Sequence, residues 1–435
     1  GGEGTVGTNP PLLAAGPGPR QVELDDLDGD GNLDVACATF TTNPAVPGGH
    51  AISLRMGNGD GTFAGFVLHP CNLSSNGPQA IATGDLDGID GPDLAIAYET
   101  GMSLGVMLNN GDGTFGTDTP YGHNLPTGSV WANDVALGDL DGDDDLDLVS
   151  AGQHLAVNFN NGNGNFAAEV AYGPLSTYSI QLEDVDGDDD LDIAAASLVG
   201  GVNTDGLLTI WHNNGSGVFG APTSYNAGNY PGSIAFGDID GNSDRDVLVA
   251  NWFSGDVGSP HVSIMLKDAN GGYSLAYTVD ADERCRYASL ADLDEDGDQD
   301  IVVSNNVGDN VSVAFNDGDG TFADSVQYGA GDGNWSQDIG DVNNDGHLDI
   351  VTADYLADTV SVLLAECVDT SETCPADIAP PGGNGVVDIH DLLAVVGQWG
   401  SCANCFRTCI ADIDSDCDVD IGDLLAVIAG WGPCS

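Results

Sequence analysis

A nine-residue pattern with aspartate at positions 1, 3, 5 and 9 constrains this chain more than any other feature. One copy, Asp139–Asp147, reads DLDGDDDLD and carries six carboxylates. Such crowding in one tight loop is repulsive unless a cation sits among the oxygens. Hard Ca²⁺ takes about 6–8 oxygen ligands from carboxylates, amides and backbone carbonyls on alternating residues of a sharp turn. Asp139, Asp141, Asp143 and Asp147 are the side-chain candidates, with Asp145 offering its carbonyl. A single copy would also read as a solvated acidic turn. There are seven copies.

The others supply Asp26, Asp28, Asp30 and Asp34; Asp85, Asp87 and Asp93; and Asp184, Asp186, Asp188 and Asp192. They continue with Asp238, Asp240, Asn242 and Asp246; Asp292, Asp294, Asp296 and Asp300; and Asp341, Asn343, Asp345 and Asp349. Successive copies start 59, 54, 45, 54, 54 and 49 residues apart. A repeat near this length is the signature of a propeller or solenoid. Two copies depart from the pattern. Ile89 stands at position 5 of the second, with Asp90 beside it, and Asn343 at position 3 of the seventh. Weaker or altered metal binding is expected at both.

The seven windows hold 33 of the 69 acidic residues, against 7 basic ones and a net charge of −62. The charge is gathered into sites, and the intervening segments are rich in Val, Ile, Leu and Phe, unlike a disordered acidic tail. The same charge disfavours nucleic acid and anionic membrane surfaces as partners. No run reaches the ~20 apolar residues of a membrane span. Calcium-type loops, ten cysteines and a single lysine point to an oxidising, calcium-rich exterior, so a secreted or cell-surface location is expected. The Gly-Gly-Glu-Gly start reads as a mature end left by removal of a signal peptide.

Each repeat keeps one order. An approach segment enters the Asp loop and a short apolar strand such as Leu94–Ala97 leaves it. An alternating strand then ends in a Gly/Asn turn and an aromatic, as in NNGDGTF to Phe115 and NDGDGTF to Phe322. Apolar alternation bounded by such turns predicts hairpins. Four strands per unit predict a mostly β, seven-bladed propeller over residues 1–366. The seventh unit lacks a fourth strand after Leu364, so the N-terminal segment, about residues 3–15, is expected to close the ring. Asp loops and GDGTF turns in this order resemble the FG-GAP/VCBS repeats of integrin α-subunit propellers and many bacterial surface proteins. The resemblance implies a bacterial-type extracellular protein with about seven structural calcium ions.

From Cys367 the composition changes, and residues 367–435 read as a small, disulfide-rich helical domain. Val387–Gly400 and Val419–Gly432 are duplicates offset by 32 residues, each following an acidic loop. Asp412, Asp414, Asp416, Asp418 and Asp423 have EF-hand spacing. The first loop, expanded by an insertion, leaves Asp377, Asn384, Asp388 and Asp391 as candidates. This tail resembles a type I dockerin, which implies up to two further Ca²⁺ and docking onto a protein partner. It departs from that family at Cys417, and at Ile389-His390 and Ile421-Gly422, where partner-reading residues are usual. Docking onto the next subunit would be a heterologous contact, which builds a homopolymer when it does not close.

Seven of the ten cysteines lie in the tail, and disulfides fit them better than zinc, since Cys402–Cys405 has no second pair at finger spacing. Cys37 and Cys71 are a candidate pair in the propeller, which leaves Cys285 over. No HExxH or GxSxG motif occurs, and an enzyme is not expected. His123, His154 and His212 with Tyr121 or Tyr172 are the acid/base candidates of a less favoured reading, a polysaccharide lyase. Its uronate partners would come from Arg20, Arg55, Arg245, Arg284, Arg286, Arg407 and Lys267. The preferred expectation is a calcium-binding structural or adhesion protein, with a filament subunit as its sharpest form. A monomeric lectin or scaffold-docked carbohydrate-active protein is the alternative.

Overall fold

The computed structural model describes residues 10–40, 50–71, 77–99, 104–121, 132–174, 176–198, 205–252 and 261–365, with 386–387, 400–401, 418–419 and 432–433. Seven four-stranded antiparallel sheets form the blades of a propeller. Blade 1 runs through Pro19–Asp25, Asp34–Phe40, His50–Arg55 and Val67–Pro70. The inner strands of blades 2 to 7 are Pro78–Gly84, Ala132–Gly138, Ser176–Glu183, Pro231–Gly237, Cys285–Ala291 and Asn334–Gly340. Each inner strand packs against the next, and the last packs against the first, so they line a closed ring. Every Asp loop joins an inner strand to the second strand of its blade, which puts all seven at one end of the ring.

The second strands explain why the apolar runs after the loops are short and continuous. In blades 2, 3, 5, 6 and 7 every residue of this strand is buried, because both its faces meet neighbouring strands and blades. Core therefore sits between blades. One cluster joins Ala36, Ile52 and Leu54 of blade 1 to Ile81, Leu94 and Ile96 of blade 2. Burial of this kind stabilises by about 25 cal/mol per Å² of apolar surface.

The closing strand predicted within residues 3–15 is Leu12–Ala14, paired with Thr359–Leu363 of blade 7 in the register Leu12↔Ser361, Leu13↔Val360 and Ala14↔Thr359. Side chains complete the closure. Asp338 of blade 7 accepts the Leu24 N–H of blade 1 at 2.7 Å, and Ser336 Oγ accepts that of Val22 at 3.1 Å.

The aromatic after each Gly/Asn turn has an unforeseen role. In blades 2 to 5 it packs edge-on against the outer strand of the preceding blade: Phe115 on His69, Phe166 on Tyr121, Phe219 on Tyr172 and Tyr273 on Tyr225, with centroids 5.1–5.8 Å apart. Tyr121 and Tyr172, offered above as acid/base groups, are thus blade-to-blade packing residues. Burial raises the pKa of both hydroxyls.

The Cys37–Cys71 pairing is not formed. All three propeller cysteines are free and buried. Cys37 belongs to the core between blades 7 and 1, and Cys71 to the core between blades 1 and 2. The blade 1 sheet stands between them. Burial pushes the Cys71 and Cys285 thiols up to about 12.

The tail ligands Asp377, Asn384, Asp388, Asp391, Asp412, Asp414, Asp416 and Asp423 lie outside the described residues, as does the predicted helical pattern. Two short ladders there are described, Val386–Val387 with Gly432–Pro433 and Gly400–Ser401 with Asp418–Val419. They follow the 32-residue offset, each copy's leading strand pairing with the trailing strand of the other.

Candidate metal centres

Each Asp loop winds around the carboxylate at position 1. Asp26 Oδ1 accepts the N–H groups of Gly29 and Asp30 at 2.8 and 3.0 Å, and Oδ2 accepts that of Gly31 at 2.9 Å. Asp139 holds Gly142, Asp143 and Asp144 in the same way, and Asp184 holds Gly187, Asp188 and Asp189. The winding requires positive φ at position 6. Gly31 supplies it in loop 1, but Asp144, Asp189 and Ser243 take φ of 69–70° in loops 3, 4 and 5. Left-handed backbone costs an L-residue about 1–2 kcal/mol, partly offset in glycine by its freer unfolded chain. Ser243→Gly is therefore expected to stabilise the protein by about 0.5–1 kcal/mol in urea unfolding.

Position 9 behaves differently from the other ligand candidates. Asp34, Asp93, Asp147, Asp192, Asp246, Asp300 and Asp349 are all fully buried at the start of their second strands. In every blade one oxygen accepts the N–H at position 2 of the same loop, and the other accepts the first N–H of the turn after the third strand. For Asp147 these donors are Leu140 and Asn160, at 3.0 and 2.8 Å; for Asp300 they are Leu293 and Asn316, both at 2.9 Å. The residue is a staple as well as a ligand candidate. The signal was present in the sequence: a carboxylate heading a fully apolar strand must find donors. In the absence of a cation, burial pushes Asp34, Asp93 and Asp147 up to about 6 and Asp300 and Asp349 to about 7.

The turn residue bonded to this staple also ties adjacent blades. Asn109, Asn160, Asn213 and Asn316 each donate Nδ2–H to the position-2 carbonyl of the preceding blade's loop, at 2.7–2.9 Å. Lys267 Nζ makes the equivalent bond to Val185 at 2.8 Å.

The predicted ligands come together. Carboxylate oxygens of Asp26, Asp28 and Asp34 lie within 4.8 Å of one another, as do those of Asp85, Asp87 and Asp93, of Asp139, Asp141 and Asp147, and of Asp184, Asp186 and Asp188. Loop 2 thus keeps its cluster without position 5, and Ile89 turns outward, 58 % exposed. In loop 7, Asn343 donates to Asp345 at 2.8 Å, tying up two candidates with each other. His212 joins loop 4, its Nδ1 2.9 Å from Asp192 and 3.4 Å from Asp186, and so belongs to a loop cluster.

Several buried oxygens in these loops have no donor: Oδ1 of Asp141 in loop 3, and Oδ1 of both Asp238 and Asp240 in loop 5. A buried unpartnered carboxylate oxygen is costly. A hard cation removes that cost, so the donor sets fit Ca²⁺. The FG-GAP-like repeat family matches residues 90–150, 184–249 and 292–352, which contain loops 3 to 7. These three segments are similar to FG-GAP-like repeats.

No curated protein matches the chain. Among solved structures, an Agrocybe aegerita lectin described as recognising non-reducing terminal N-acetylglucosamine aligns at 19% identity, over 78% of this chain and 86% of that one, with a TM-score of 0.49. BBS1N, crystallised in complex with ARL6DN, aligns at 13% identity over 81% of this chain and 96% of its own, with a TM-score of 0.54. A chain of a mitotic checkpoint complex aligns at 14% identity over 82% and 92%, with a TM-score of 0.52. The latter two similarities concern the fold alone. No helix among the described residues is long and apolar enough to cross a membrane.

Proposed function

We propose that this FG-GAP-like chain is a secreted or cell-surface calcium-binding structural or adhesion protein. Its tail docks onto a protein partner or a neighbouring subunit, and head-to-tail docking builds a filament. The observation that carries the reading is the convergence of carboxylates in successive loops at one end of the ring, with buried oxygens left for a cation.

The residues at positions 1, 3, 5 and 9 would hold the ion, and in loop 2 those at positions 1, 3 and 9. Bound Ca²⁺ would supply positive charge and oxygen coordination that offset the repulsion among them. The rest is done by the chain. The position-1 carboxylate winds the loop, the position-9 carboxylate staples it to the far turn, and the turn Asn ties it to the next blade. A set of loops stiffened in this way makes a rigid body suited to bearing load between docked subunits. The EF-hand spacing of Asp412, Asp414, Asp416, Asp418 and Asp423 supports calcium ordering of the tail as well.

Light scattering and negative-stain microscopy of the full chain, in millimolar calcium and after chelation, test the assembly. Polymers that form with calcium and dissolve with chelator are expected. A monomer under both conditions would remove the filament from the reading.

A further inference from the structure

At the end of the ring opposite the Asp loops, the inner strands share a feature that the repeat pattern does not announce. Each pairs with its second strand through a β-bulge at the same place, so one residue per blade is left out of the ladder: Arg20, Gln79, Asn133, Tyr178, Gly232, Arg286 and Trp335. All seven line one cavity of about 50 Å³ at the mouth of the central channel. Bulges re-aim side chains and are common beside functional sites. Elsewhere the blades repeat one another, with Asp at every position 9 and Gly/Asn in the turns. At the bulge they hold six different residue types. A position demanded by the fold would repeat; this one varies blade by blade, as a binding surface does.

The charges there run against the rest of the molecule. The chain has seven Lys and Arg side chains in all, and two of them meet at this mouth. The Arg286 guanidinium lies 3.9 Å from the Trp335 ring centroid and 4.4 Å from that of Trp252. The Arg20 guanidinium lies 5.4 Å from Trp335 and 3.7 Å from Phe40. Arg20 is 7 % exposed and reaches Glu99 at 3.3 Å, but its Nε–H is buried without an acceptor. The indole Nε1–H of Trp252 is likewise buried without one. Arg286 has no carboxylate partner among the described residues. Asp134, the one carboxylate lining the cavity, has its two oxygens on the Ile180 and Val135 N–H groups at 2.9 and 3.0 Å.

Two of the chain's few cations thus meet here, one with a buried donor left over and the other without a carboxylate among the described residues, in a chain with 69 acidic groups. We infer that the mouth of the channel binds a small carboxylate, as carried by an organic acid or an acidic sugar. The carboxylate meets the Arg286 guanidinium, with Arg20 Nε–H as a further donor, both residues lining the cavity. Arginine suits this task because its planar fork matches a carboxylate, while its face rests on the tryptophans. Burial, with the nearby Arg20 charge adding to it, lowers the Arg286 pKa to about 9. The inference is independent of the calcium reading, since the Asp loops lie at the other end of the ring.

Isothermal titration of the full calcium-loaded chain with acetate, glucuronate and glucose tests it. Acetate and glucuronate are expected to bind and glucose not. Glucuronate binding more tightly than acetate would assign the sugar acid as the natural source, and equal binding the carboxylate alone. Removing a charged hydrogen-bond donor weakens such a complex about 10–100-fold, which is the loss expected for Arg286→Gln. Arg20→Gln, which removes the second guanidinium lining the cavity, should weaken it as well. Arg245→Gln, which removes the surface pair with Glu183, should bind as the parent does. The inference is overturned if no carboxylate binds, if glucose binds as well as glucuronate, or if folded R286Q and R20Q both retain full affinity.

Discussion

Asp147→Ala should destabilise the propeller by about 3–5 kcal/mol, whether calcium is present or not. The residue is fully buried, and its loss strands the Leu140 and Asn160 N–H groups in a dry interface between loop and turn. Each buried donor left unsatisfied costs about 1–3 kcal/mol, and the void adds to it. Asp141→Ala makes the informative contrast. Its Oδ1 is buried but accepts no hydrogen bond, and it lies among carboxylates within 4.8 Å. In chelator that substitution should be neutral or mildly stabilising, because it removes repulsion. In calcium it should lower stability by the loss of one binding site. Urea unfolding of both variants, with and without chelator, reads the difference. Equal losses in chelator would mean that position 9 is no staple.

This contrast marks where sequence reasoning reached and where it stopped. The sevenfold Asp pattern revealed the blade count, because a nine-residue acidic loop cannot recur at near-even spacing without a repeating architecture. The missing fourth strand after Leu364 pointed to closure by the N-terminus, since an open edge has to be paired. Both are local facts with global consequences. What stayed hidden depends on which blades become neighbours. Asn160 reads as a turn residue, yet its amide reaches the carbonyl of Leu86 in the preceding blade at 2.8 Å. Phe166 reads as the start of a strand, yet it packs on Tyr121 across a blade boundary. Cys37 and Cys71 are close enough in sequence to suggest a bridge, but alternation puts them on opposite sides of one sheet. The bulges at Arg20 and Arg286 break no sequence rule at all. They show only in the register of paired strands, and with them the grouping of two scarce cations at the channel mouth.

Calcium removal should have the largest effect, and its size should depend on pH. In chelator, burial raises the pKa of five position-9 carboxylates, to about 6 for Asp34, Asp93 and Asp147 and about 7 for Asp300 and Asp349. In the unfolded chain an aspartate titrates near 3.9. Between these values the folded chain binds more protons than the unfolded one, so these groups contribute stability at low pH that is lost as pH rises through about 6–7. The metal-free melting temperature should therefore fall from about pH 4 to pH 8. With calcium the slope should reverse, because the ion binds carboxylates in their ionised form and competes with protons. At a hundred times its dissociation constant, each filled site adds about 2.7 kcal/mol, so several filled loops outweigh the destabilisation of any single substitution. Differential scanning calorimetry at pH 5 and pH 8, in calcium and in chelator, gives the four numbers needed. A calcium-induced rise that is large at pH 8 and small at pH 5 is expected. Identical melting with and without calcium at pH 8 would mean that the loops are acidic turns and that the staples alone hold them.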